Sequence, residues 1–202
     1  MGDRRRDALR AAVATGDDAV SDELEAQALR FARDVHPHTA HLVRTRDWLD
    51  EIAAGARPAM RIAALLHDIE RAYPDPDSPF LSGRDWQLEP YVDYHQGRCA
   101  RLLRMWLREH GADATFTADA VALVAVHERG GWPDADLIQA ADSLSFIETM
   151  GPLVRAWIAD GTTTREGGLA KVRSMWDRIQ VPLARERGSE LYERTMAECE
   201  RA

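Results

Sequence analysis

Residues 58–73 read PAMRIAALLHDIERAY. Pro58 suits the first turn of a helix, where its missing N–H would have had no intrahelical acceptor. The residues that follow, Ile62, Ala63, Ala64, Leu65, Leu66 and Ile69, are apolar on most sides. A helix that is apolar nearly all round is buried, so this one is expected inside a helical core. Yet its middle carries His67 and Asp68. Neighbouring residues on a helix point about 100° apart, so two adjacent ligands can bracket one ion. An unpaired carboxylate in such company is costly, and a cation offsets that cost.

Helical periodicity extends outward from this segment, and convincing strand alternation is absent. Upstream, Ser21 is a candidate N-cap for a helix whose apolar positions are Leu24, Ala28, Phe31 and Val35. A second helix carries His41, Leu42, Leu49 and Ile52 and stops at Gly55. Downstream, Tyr73 to Tyr91 holds four prolines and reads as a long loop that could cover a ligand with Arg84, Trp86 and Tyr91. Helical pattern resumes at His95 and ends at Gly111. It then runs through Val121–Val126 to Gly130 and Gly131, and through Ala140–Leu144 to Gly151. The last fifty or so residues suggest two or three more helices, with Pro182 kinking or splitting one. Their apolar residues Met175, Trp176 and Ile179 suit either domain core or a homodimer interface. The expectation is one all-α domain over 1–202, with a helical extension over about 151–202.

The composition narrows function by exclusion. Hydrophobic residues make up 45% and charged residues 30%, a globular balance. The net charge of -8 opposes binding to long nucleic acid, which rests on neutralising phosphates. No segment has the length of a membrane span, and the basic N-terminus lacks an apolar stretch after it, so a cytoplasmic location is expected. Cys99 and Cys199 are too far apart in sequence to suggest a disulfide framework or a thiolate metal site. Of the 26 lysine and arginine residues only Lys171 is a lysine, which reads as a compositional bias toward arginine.

His67 and Asp68 have company. His127 follows the apolar Val121, Leu123, Val124 and Val126, Asp142 sits among Ala140, Ala141 and Leu144, and His95 follows the proline-rich loop. Each alone is more often structural. Together they are imidazoles and carboxylates on separate helices, which is how a bundle builds a metal site. Nitrogen and oxygen donors without thiolate suit Fe, Mn, Co, Ni or Zn. His38 and His41 share one helix face, and His41 is preferred as a donor because Leu49 and Ile52 continue its pattern. His36 and His110 read as loop residues without a role.

The order His41, His67–Asp68, His95, His127, Asp142 resembles the H…HD…H…H…D signature of the HD-domain superfamily. HLVRTRDWLDEI, RIAALLHDIER, HQGRCARLL, VAVHERGG and LIQAADSLSFIE are similar to that family's motif segments, in order, between about His38 and Glu148. The resemblance implies an HD-type helical bundle around a dinuclear centre of two divalent ions (Fe, Mn or Co). Asp68 would bridge, with His41, His67 and Asp142 on one ion and His95 and His127 on the other. It further implies a metal-dependent phosphohydrolase, with metal-bound hydroxide attacking a nucleotide or another small phosphoester or phosphoanhydride. Arg71 stands where relatives carry a phosphate-contacting lysine, and Arg98 and Arg129 are further phosphate candidates. Glu70 would do acid–base work or face water, and Trp132 would stack on a base or join the core. The same ligand order occurs in mixed-valence di-iron oxygenases that cleave C–C or C–P bonds, which is the competing reaction. A non-catalytic nucleotide-sensing module is a third reading.

Overall fold

The computed structural model describes residues 21–80 and 86–202. Arg84 and the basic N-terminal stretch lie outside them. The described residues are helical with no strand among them. α1 covers 21–35, with Ser21 already helical and not the cap expected there. α2 is Thr39–Ile52, α3 Pro58–Leu66, α4 Glu89–Glu109, α5 Ala114–Val124 and α6 Pro133–Ser145. A π-helical turn, Phe146–Met150, leads into α7 (Gly151–Ala159), followed by α8 (Arg165–Asp177) and α9 (Pro182–Glu200).

Local chemistry sets these limits. Asp113 caps α5 by accepting hydrogen bonds from Thr115 N and Phe116 N at 2.7 and 2.9 Å. Gly55 and Gly111 follow α2 and α4 at φ 79° and 78°, a left-handed conformation that strains any residue with a Cβ. Pro182 opens α9 instead of kinking a longer helix.

Two expectations about helix ends change. Pro90 stands in the first turn of α4, so His95 lies a turn inside that helix and does not open it. Gly151 does not end the Asp142 helix either: the chain stays helical through the π turn, where Trp48 Nε1 and Arg44 Nε both donate to Glu148 Oε2 at 2.7 Å. A Cβ on Gly151 would lie 2.7 Å from Thr195 Cγ2, so the glycine permits close approach of α9.

α2 packs on α3 and α6, α3 on α5, and α5 on α4. Leu42, Leu49, Ile62, Leu65, Leu66, Leu103, Leu107, Leu123, Ile138 and Leu144 fill the space between them and are fully buried. A smaller core of Ile147, Val154, Val172, Met175 and Cys199 lies under α7–α9, with Trp176 and Leu191 touching both cores. Met175 and Ile179 are therefore interior residues and not a docking face. Trp132, by contrast, is exposed. No described helix is long and apolar enough to cross a membrane.

Candidate metal centre

The pair that opened the sequence argument sits at a break, not within a helix. α3 ends at Leu66, His67 is its C-cap, and Asp68 (φ -100°, ψ 19°) leads into a 3-10 turn, Ile69–Ala72. His67 Nδ1 donates to the carbonyl of Ala64 at 2.8 Å, satisfying one of the carbonyls a helix end leaves open. His127 repeats the device: α5 ends at Val124, and His127 Nδ1 donates to Val124 O at 2.8 Å. Both rings are thereby turned with Nε2 toward the same interior point.

The other two imidazoles are held by their back nitrogens as well. His41 Nδ1 meets Ser145 Oγ at 2.9 Å, and that hydroxyl donates its own proton to His41 O, so the ring nitrogen is the donor. His95 Nδ1 donates to Glu70 Oε1 at 3.1 Å. With Nδ1 the donor on all four rings, Nε2 is the atom that each ring would offer to a metal ion. An acceptor on the outer nitrogen is how metal-binding histidines are commonly oriented.

These Nε2 atoms converge in two sets. His41 Nε2 and His67 Nε2 are 3.2 Å apart, and Asp142 Oδ1 lies 3.1 and 3.3 Å from them. His95 Nε2 and His127 Nε2 are 3.2 Å apart, with Asp68 Oδ1 3.1 Å from His95. Asp68 also groups with His41 and His67, so it belongs to both sets. Donors about 2.1 Å from one ion are separated by roughly 3.0–3.4 Å, the spacing found within each set. Electron-rich atoms packed this closely in a dry interior repel unless a proton or a cation lies among them, and His41, His67, His95, His127 and Asp142 are all buried. A cation would relieve that repulsion, so the donor set fits metal ions. His38 lies at the pocket wall, leaving His41 as the α2 donor. Cys99 Sγ approaches His95 on its Nδ1 side at 3.9 Å, away from the convergent nitrogens, and burial pushes its thiol pKa up.

Electrostatics around the donors are as specific. Burial opposes charge on His67, but Asp142 outweighs it and holds the ring at about 9. His127, buried and close to His95, is pushed down to about 4. Burial would raise Glu128, yet the Arg178 guanidinium keeps it down at about 2. Arg178 pairs with Glu128 Oε2 and with Asp142 Oδ2, and its Nε donates to Ser143 Oγ at 2.7 Å. Asp142 is thus held by one oxygen and faces the imidazoles with the other.

Several positioning groups were not legible in the sequence. Arg178 follows α8, 36 residues from Asp142, and no spacing rule links them. His36, set aside as a loop residue, is buried: its Nδ1 accepts from His38 N, so Nε2 donates to Asp68 O at 3.0 Å. Glu70 does not face water but pairs with His95, Arg71 and Arg98. Glu128 has its N–H bound by Gln96 and its carbonyl by Gln139, two buried glutamines. Its carboxylate Oε1 lies 3.8 and 3.9 Å from the Nε2 atoms of His95 and His127. His110, also without an assigned role, stacks on Trp106 far from the donors.

Three of the six candidate donors, His41, Asp68 and Asp142, line a pocket of about 360 Å³ together with Glu128, while His67, His95 and His127 lie beneath its lining. Arg71, Tyr91 and Trp86 line one side, which places the end of the proline-rich loop over the donors. Arg71 Nη2 donates to Tyr91 OH at 2.7 Å. Phe146, Met150, Val154 and Trp157 from the π turn and α7, Thr162 and Thr163 before α8, and Gly167, Gly168, Lys171 and Met175 from α8 line the rest of the wall with His38. Burial lowers the Lys171 pKa against the pull of Glu128. Arg98 and Arg129 do not line the pocket. Arg98 is engaged by Glu70 and Tyr73 O, and Arg129, on the surface, by Glu89 and Asp93. Compared with known proteins, the chain matches no family model, no curated protein and no solved structure.

Proposed function

We propose that the chain is a metal-dependent phosphohydrolase acting on a nucleotide or another small phosphoester or phosphoanhydride. The observation that carries this reading is the convergence of four imidazole Nε2 atoms on two carboxylates, of which His41, Asp68 and Asp142 open onto a pocket also lined by Arg71. His41, His67 and Asp142 would hold one ion and His95 and His127 a second, with Asp68 shared between them. Two divalent ions such as Fe, Mn or Co supply Lewis acidity there and lower the pKa of a water they share.

The chain's own groups do the rest. Arg71 offers a guanidinium to a phosphoryl oxygen, fixed in place by Tyr91 OH and by Glu70 Oε1 at 3.1 Å. Glu128, kept ionised by Arg178, presents Oε1 as a proton acceptor at the pocket floor. Phe146, Met150 and Trp157 keep water from the rest of the wall. A net charge of -8 gives no reason to expect long nucleic acid, whereas one small anion fits beside Arg71.

The test is metal content and phosphate release on protein purified without oxygen, beside His127→Ala. The expected result is about two ions per chain, falling toward one in the variant, with Mn- or Co-dependent phosphate release from a phosphoester panel lost. One ion or none, unchanged by the substitution, overturns the dinuclear assignment. Iron-dependent, substrate-dependent oxygen uptake without phosphate release would replace hydrolysis by the oxygenase reaction.

A further inference from the structure

In a chain that uses arginine for every other fixed cation, the single lysine lines this pocket. Lys171 projects from α8 with Nζ 4.6 Å from the ring centroid of Trp86 and 5.1 Å from that of Phe146. Its situation differs from that of Arg71, which also lines the pocket, and of Arg178, which does not. Arg178 is taken up by Glu128 and Asp142, and Arg71 by Glu70 and Tyr91. Lys171 makes no hydrogen bond or ion pair with any other described residue. Two aromatic faces stabilise an ammonium by about 0.5–2 kcal/mol each, less than a desolvated cation loses when it leaves water unpaired. A compositional pressure toward arginine bears on every cationic position. A compact ammonium with three donors retained here indicates a site that the longer, planar guanidinium does not serve.

We propose that Lys171 is a substrate-binding residue that holds the anionic group of the ligand over the metal centre. Trp86 and Phe146 flank the organic portion of that ligand, so the substrate is a compact monophosphate ester of a planar, mainly apolar group. This deepens, and rests on, the reading of the site as a phosphohydrolase. The volume of about 360 Å³ lies near the small end of ligand pockets, roughly 300–1,000 Å³, and suits a molecule of this size. Beyond Phe146 the wall is formed by Met150, Val154, Trp157 and Met175 with the hydroxyl-bearing Thr162 and Thr163, none of which offers a charge to a sugar-phosphate chain or a second phosphate.

The experiment uses the full, metal-loaded chain as wild type, Lys171→Met, Lys171→Arg and Trp86→Ala. Inorganic phosphate binding is measured by calorimetry, and hydrolysis with phenyl phosphate and methyl phosphate. Lys171→Met is expected to keep its metals, to bind phosphate at least tenfold more weakly and to raise KM for phenyl phosphate at least tenfold, with a smaller change in kcat. Trp86→Ala is expected to lose the preference for phenyl over methyl phosphate. Wild-type phosphate affinity and KM in a metal-replete Lys171→Met overturn the assignment. If that variant loses its metals, Lys171→Arg decides: weakened phosphate binding with metals retained supports the role, and unchanged binding overturns it. Wild type that binds phosphate through Lys171 but hydrolyses no ester leaves the anion site standing and removes the phosphohydrolase reading alone.

Discussion

The centre depends on how individual side chains spend their second nitrogen or oxygen. Ser145 shows this well: its hydroxyl accepts from His41 Nδ1 and gives its own proton to His41 O. Ser145→Ala should leave the fold intact and weaken metal affinity by about 10–100-fold, measured by competition with a chromophoric chelator; unchanged affinity would show that the tautomer is set elsewhere. His67 carries a linked prediction. At pH 7 a ring held at about 9 by Asp142 is protonated, and it must lose that proton to bind a metal. Burial opposes charge on His95 too, yet Asp68 and Glu70 raise it, so it must also release a proton. Affinity therefore rises with pH from neutrality upward, whereas His127, at about 4, is already neutral and adds no dependence there. Manganese titrations at pH 7 in buffers of different ionisation enthalpy should show net proton release, and none at all would contradict the assignment. The clustered imidazoles and carboxylates were legible as candidate donors because such groups stand out in apolar surroundings. Ser145 and His36 were not, since a serine or a loop histidine looks ordinary until its partner across the fold is known.

At the level of elements, the sequence announces helices more clearly than their ends. Apolar periodicity identified the helices bearing His41, His95 and Asp142, and the one that ends at Val124, just before His127. It also placed His67 and Asp68 within a helix, although the chain breaks there. The reason is that the imidazole of His67 competes for a backbone carbonyl, a local hydrogen bond that hydrophobic pattern does not encode. The π turn after Asp142 was hidden likewise, because an i→i+5 turn leaves the run of apolar residues unbroken. Close helix approach leaves a different trace. A side chain on Gly188, in α9, would strike Leu144 Cδ2 and come within 3.2 Å of Trp176 Cζ3. Gly188→Val should cost about 1–3 kcal/mol by overpacking, well above the few tenths gained in helix propensity. Urea unfolding would register this as a lower midpoint with an unchanged slope, and a midpoint at or above wild type would show that α9 can shift away.

Across the whole molecule, the segment from α2 to α6 carries the candidate donors, while α7 and α8 complete the pocket and Arg178 caps the end of α8. Bound metal should act on the entire fold, because the donors come from segments far apart in sequence. At a free metal concentration 100 times Kd, one site adds about 2.7 kcal/mol, which for a chain of this size is roughly 5–11 °C in Tm. Calorimetric scans with and without chelator test this, and coincident transitions would mean that the folded chain holds no metal. Arg178 has a further consequence, one of timing. A chain made from its N-terminus presents all six donors before the guanidinium that neutralises Asp142 and Glu128 has been synthesised. Until the end of α8 docks, Asp142 and Glu128 lack their permanent counter-charge, so the site reaches its final charge balance only when that late segment has folded against it.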